Sequence, residues 1–91
     1  PAIDLAVIAA VVSSYEEKPI SGNVCFAAEV GLGGEIRGVN RIESRISEAE
    51  KLGFKKVYIS KFNTKGFDAK KYKIEIKAFG KLEEVFQDLL N

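Results

Sequence analysis

Histidine is absent from this 91-residue sequence, and cysteine occurs once, as Cys25. Without histidine, no His-based catalytic triad can be assembled, and one thiol cannot build a structural zinc site within the chain. A lone cysteine also excludes an internal disulfide and points to a reducing, cytoplasmic setting. Long apolar runs are missing too. The run from Leu5 to Val12 falls well short of the roughly 18 residues of a membrane span. No basic leader precedes it, so it does not read as a signal peptide. No membrane partner is expected. Net charge is slight, with 14 Lys and Arg against 13 Asp and Glu, a formal +1. What is present is ordinary for one small soluble globular domain: 46% apolar and 30% charged residues. That balance excludes a disordered tail, a collagen-like repeat and a disulfide scaffold.

The near-neutral total hides an uneven distribution. Residues 1–50 carry four basic side chains (Lys18, Arg37, Arg41, Arg45) against eight acidic ones. Residues 51–81 carry ten lysines against only Asp68 and Glu75, and the last ten residues are acidic again. A middle segment this basic can follow a polyanion, or it can simply form a solvated face.

Asp4 is placed to cap a helix over the apolar run at Leu5–Val12, continuing through Tyr15 to Glu17. That run is apolar on every side, so periodicity alone does not separate a buried helix from a buried strand. Its alanines and its continuation predict a helix crossing the core. Pro19 and Gly22 mark a turn. Val24 to Val30 and Glu35 to Val39 read as two strands of a hairpin, joined by Gly31-Leu32-Gly33-Gly34. Asn40 and Glu43 have the spacing of a capping box, followed by Ile42, Ile46 and Ala49 on one helix face and Gly53 as its stop. Arg45, Glu48 and Lys51 point outward. Val57 to Ile59 predicts a short buried strand, Phe62 to Tyr72 an irregular stretch, and Lys73 to Phe79 an alternating strand. Leu82, Val85, Phe86, Leu89 and Leu90 predict an amphipathic last helix. The expected order is α-β-β-α-β-β-α.

Chemistry is hard to place. The glycine-rich segment lacks a Gly-Lys-Ser/Thr ending and precedes a strand, so it fits a turn needing positive φ rather than a phosphate loop. Glu29 and Glu35 flank it and read as polar strand positions. Cys25, inside an apolar strand, reads as a small buried hydrophobe. A Ser–Lys dyad is the one nucleophilic mechanism the composition permits, and no spacing selects among Ser13, Ser14, Ser21, Ser44, Ser47 and Ser60.

The segment from Ala28 to Arg37, Ala-Glu-Val-Gly-Leu-Gly-Gly-Glu-Ile-Arg, resembles the Gly-Glu-Val-Gly-Leu-x-Gly-Glu-Val-Arg signature of the RadA (Sms) family of bacterial DNA-repair proteins. Val39 to Arg45 and Glu48 to Lys56 resemble the helix and strand start that follow in that family. Pro1 to Val7 resembles its Asp-Pro-Ala-Ala-Asp-Leu-Ala-Val segment. The likeness is good to about residue 61 and looser beyond. Ala28 departs from a glycine and Ser60 from a proline.

The resemblance implies a Lon-protease-like α/β domain, here a single domain over residues 1–91 that is truncated at its N-terminal side. It also implies what the rest of such a protein carries: a four-cysteine zinc finger and a RecA-like ATPase, hence zinc and ATP outside this segment and no cofactor within it. Lon-type proteases use a serine and a lysine, and the matching positions hold Ala2 and Glu43. Neither can perform those roles, so no catalytic residue is expected. The implied function is a non-catalytic module of an ATP-dependent DNA recombination and repair protein, with DNA and further copies in a homohexameric ring as partners. Arg37, Arg41, Arg45, Lys55 and Lys56 are the candidate phosphate contacts, since Arg and Lys neutralise phosphates and release counterions. Exposed helix residues or ring-interface ion pairs would use the same positions. An active Ser–Lys peptidase and a pure oligomerisation module are the alternatives.

Overall fold

The computed structural model describes residues 2–91; Pro1, where the resemblance begins, lies outside them. A parallel sheet of β2 (Val24–Ala27), β5 (Lys56–Ser60) and β6 (Glu75–Phe79) has β5 in its middle. Val24 stands opposite Lys56, and Ser60 opposite Phe79. Side chains alternate across β5, as a strand requires. Tyr58 faces α1 (Leu5–Glu16) and α3 (Leu82–Leu89), in a core with Leu5, Ile36 and Val85. Val57 and Ile59 face α2 (Ile42–Lys51), in a core with Ile46, Ala49 and Ile74. The sheet is therefore covered on both faces, which explains the unbroken apolar run at its centre.

A smaller antiparallel sheet orders β1 (Ile3–Asp4), β3 (Glu29–Val30) and β4 (Ile36–Arg37). It closes over the carboxyl ends of the parallel strands. The Ile36 amide donates to the Gly80 carbonyl at 2.9 Å, and Ser60 Oγ donates to the Ile36 carbonyl at 3.0 Å.

Several expectations hold at the residue level. Asp4 accepts from the Ala6 amide at 2.8 Å and caps α1. Gly53, at φ 92°, stops α2, and Gly34, at φ 82°, supplies the positive φ of the β3–β4 turn.

Others need correction. The element order gains β1 ahead of α1, and the expected strand over 24–30 divides at Ala28. Ala28 gives its carbonyl to the Leu5 amide at 3.0 Å, so residues 24–27 run with β5 while 29–30 turn into the antiparallel sheet. The strand expected over 35–39 shortens to Ile36–Arg37, because Asn63 takes both backbone groups of Val39, at 2.8 and 3.1 Å. Helix α1 does not cross the core. It lies on one face of the sheet with Leu5 and Ala9 buried, leaving Val7, Val11 and Tyr15 54%, 62% and 85% exposed. No helix among the described residues is long and apolar enough to cross a membrane.

The Asn40–Glu43 capping box does not form. Arg41 occupies the N-cap of α2 in the left-handed region, at φ 57°, with no side-chain cap bond. Glu43 instead accepts from the Tyr72 hydroxyl at 3.1 Å and pairs with Lys71 at 3.5 Å, pinning the irregular stretch to α2. Glu50 Oε1 does the same about two turns later, accepting from the Lys73 and Ile74 amides at 2.6 and 3.0 Å. Those amides are thereby occupied, and β6 begins at Glu75 rather than Lys73.

Candidate nucleic-acid interface

The five basic residues singled out from the sequence do not form one patch. Arg37, at the end of β4, directs Nε and Nη2 at Glu35 Oε2, at 3.1 and 2.9 Å. The other oxygen of Glu35 accepts from the Gly33 amide at 3.0 Å, so the carboxylate braces the turn as well. Its own backbone N–H, and then the guanidinium, hold Glu35 below the usual carboxylate range. Arg37 is thus half committed to a solvent-exposed pair.

Arg41 and Arg45 lie one turn apart at the start of α2, both exposed. Arg45 Nε donates to the Asn40 carbonyl at 3.1 Å, and neither arginine has a carboxylate partner among the described residues. Lys55 and Lys56 sit beyond the other end of α2, which ten residues at about 1.5 Å each place roughly 15 Å away. Lys56 faces the α3 side, where its charge helps to hold Asp88 ionised. The structure therefore groups Arg41 with Arg45 and separates them from Lys55 and Lys56.

The lysine-rich segment is mostly free. Among the described residues, only Lys71 and Lys77 of its ten lysines are held in ion pairs. Two neighbours the sequence reading did not single out, Lys61 and Phe62, follow β5 in a short 3₁₀ turn over Lys61–Asn63. Phe62 is 66% exposed, with the Lys61 ammonium 5.4 Å from its ring centroid. The sequence signal was there: an aromatic residue interleaved with lysines directly after a buried strand.

The remaining chemistry is sparse. Ser60 is fully buried, and its hydroxyl is spent on the Ile36 carbonyl and the Phe62 amide. Ser44 and Ser47 line an open groove with Glu43, Lys71 and Tyr72, but Lys71 Nζ is directed at Glu43. Cys25 is half-buried beside Ala27, Ala49 and Phe54, and burial pushes its thiol up. A thiol so placed is not an activated nucleophile. Among the described residues, no group of three or more Cys, Asp or Glu side chains is arranged to hold a metal ion.

A protein-family model, that of the Lon protease (S16) C-terminal proteolytic domain, matches residues 1–91. The chain is 49% identical over 87 residues, 96% of its length, to the DNA repair protein RadA of Streptococcus pneumoniae. It is 60% identical over 68 residues to the RadA of Streptococcus pyogenes serotype M1, and 49% over 67 residues to that of Bacillus subtilis. Those matches cover 75% and 74% of this chain. The chain spans 20% of the S. pneumoniae protein and 15% of each of the other two.

Proposed function

This chain belongs to the family of the Lon protease (S16) C-terminal domain, in the form found in proteins named RadA, and from that membership we propose a non-catalytic module of a DNA repair protein. In this reading the module contacts DNA and supports a homo-oligomeric ring in the cytoplasm. ATP and zinc are handled by other parts of the protein.

The observation that carries DNA contact is the Arg41–Arg45 pair. Two guanidinium groups one turn apart, exposed and without carboxylate partners among the described residues, are what a duplex backbone can engage. Arg37 is in reserve: its pair with Glu35 is exposed, and a phosphate can compete for it. For the absence of peptidase chemistry, the support is Ala2 and Glu43 at the dyad positions, with the Glu43 carboxylate engaged by Tyr72 and Lys71.

Assembly draws support from two uncovered features. The edge of β2 away from β5 has no partner among the described residues. Val7, Val11 and Tyr15 recur every four residues along one exposed side of α1. A contiguous apolar stripe of this kind favours burial against another surface. Those same features also favour the second reading, an oligomerisation module without DNA affinity.

The test uses a full-length protein carrying this domain. Replacing Arg37, Arg41 and Arg45 by alanine should weaken duplex binding and lower its salt slope by about 0.9 per lost phosphate contact, with the oligomer intact. A triple mutant that assembles and binds duplex like the parent would leave the oligomerisation reading standing instead.

A further inference from the structure

Single exposed apolar side chains are common on protein surfaces, so the exposure of Phe62 alone says little. Its surroundings say more. Phe62 follows the central strand directly, and its backbone is anchored on both sides. The Phe62 amide donates to Ser60 Oγ at 3.1 Å, and Ser60 is itself buried and bonded to Ile36. The next residue, Asn63, holds Val39 through two hydrogen bonds at 2.8 and 3.1 Å. Thr64 closes the turn onto the Lys61 carbonyl at 2.7 Å. The ring therefore projects from a fixed base.

Lys61 is also placed. Its stem lies over Gly80, where an added Cβ would stand 2.7 Å from Cε, closer than real atoms approach. The missing side chain at Gly80 leaves room for that stem, and the ammonium lies over one face of the Phe62 ring, 5.4 Å from its centroid. No carboxylate among the described residues pairs with Lys61. Lys65 and Lys81, both exposed, follow closely in the chain after Phe62 and Gly80.

We propose that this end of the sheet binds single-stranded DNA, with a base stacked on the face of the Phe62 ring turned away from Lys61 and the adjoining phosphate on the Lys61 ammonium. The inference rests on the reading of the domain as a DNA-contacting module and adds a second kind of contact. The Arg41–Arg45 pair meets only phosphates and serves a duplex, whereas an aromatic face needs an unstacked base. A fixed, accessible ring beside an unpaired cation is the combination that single-strand sites use, and it is tolerant of sequence because every base offers a π-face.

Titrating the isotope-labelled chain at low salt with a short oligothymidylate, and separately with a duplex of equal length, tests this by NMR. The oligothymidylate should perturb Lys61 to Lys65, Gly80 and Lys81. Phe62→Ala should weaken its binding about fivefold or more, while Phe62→Tyr, which keeps the ring, should stay within about twofold. Lys61→Ala should lower the salt slope by about 0.7. The duplex affinity should not follow Phe62→Ala. Equal oligothymidylate affinity for Phe62→Ala and the parent, or no binding at all, overturns the proposal. Perturbation of Phe62 only by rising protein concentration overturns it in favour of a protein contact. Loss of duplex binding with the Phe62 response retained would sink the arginine reading and leave this one.

Discussion

Tyr58 Oη donates to Asp88 Oδ2 at 2.6 Å, joining the middle of the central strand to the last turn of α3. Lys77 Nζ meets the other oxygen at 3.2 Å. Tyr58 is fully buried and stacked between Phe26 and Phe79, with ring centroids 5.6 and 6.1 Å away. Its hydroxyl has to be satisfied there, since an unpaired buried donor costs about 1–3 kcal/mol. Asp88 meets that need, and this fixes where α3 lies on the sheet.

The pair sets a pH dependence. The Tyr58 hydroxyl, and then Lys77, hold Asp88 below the usual carboxylate range. The unfolded carboxyl titrates near 3.9, so this stability is fully present above about pH 4 and is lost as pH falls through the lower folded value. Burial, and then Asp88, push Tyr58 up. Its contribution is therefore complete below about pH 10 and declines at higher pH, where the unfolded phenol ionises first. Urea unfolding at neutral pH should show Asp88→Asn and Tyr58→Phe each less stable by about 1–3 kcal/mol. Between pH 5 and 3, Asp88→Asn should lose less stability than the parent. Parallel pH curves for the two would contradict the assignment.

Arg41 separates stability from binding. A non-glycine residue in the left-handed region costs about 1–2 kcal/mol, and Arg41 holds that conformation at φ 57° without a capping bond in return. Arg41→Gly should raise stability by about 0.5–1 kcal/mol after the extra chain entropy of glycine is counted. The same substitution should weaken duplex binding by the full-length protein. Arg41→Lys should retain most of the binding and none of the stability gain. If Arg41→Gly binds duplex as well as the parent, Arg41 is not a duplex contact.

The stripe on α1 makes a prediction about assembly. Val11→Glu and Tyr15→Glu remove apolar surface that is 62% and 85% exposed, so the folded chain loses no core contact. Sedimentation should show the parent associating with rising concentration and the double mutant remaining smaller, at unchanged unfolding midpoint. Equal sedimentation of both would exclude this face from the interface.

Much of the fold was legible because local rules agreed with the tertiary answer. Asp4 caps α1, Gly53 ends α2, and the apolar run at Val57–Ile59 becomes a strand covered on both faces. The errors in strand limits have one physical origin. Ala28, Val39, Lys73 and Ile74 each spend backbone groups on partners remote in sequence: Leu5, Asn63 and Glu50. No window of neighbouring residues contains those partners, so strand limits there were read too long. Helix α1 misled for a different reason. Its composition is apolar all round, yet only one side meets the sheet. At the candidate interface, the i, i+4 spacing already placed Arg41 beside Arg45, whereas the distance to Lys55 and Lys56 required the path of α2.

The last prediction concerns peptidase chemistry. A serine-directed phosphonate probe should label no serine of this chain, and an unfolded protein substrate should remain uncleaved. Ser60 is buried and doubly hydrogen-bonded, and Lys71, which lines the groove of Ser44 and Ser47, is turned to Glu43. A serine without a base to take its proton is a poor nucleophile. Placing serine and lysine at the two positions that the resemblance assigns to the dyad, as Ala2→Ser with Glu43→Lys, should not create a labelled site either. Glu43→Lys removes the acceptor of Tyr72 and sets a second cation beside Lys71, so the urea midpoint should fall and the 69–72 turn should loosen. Labelling of the parent at any serine would overturn the non-catalytic reading. Labelling only of the double mutant would show that the dyad geometry survives and that residue identity alone silences it.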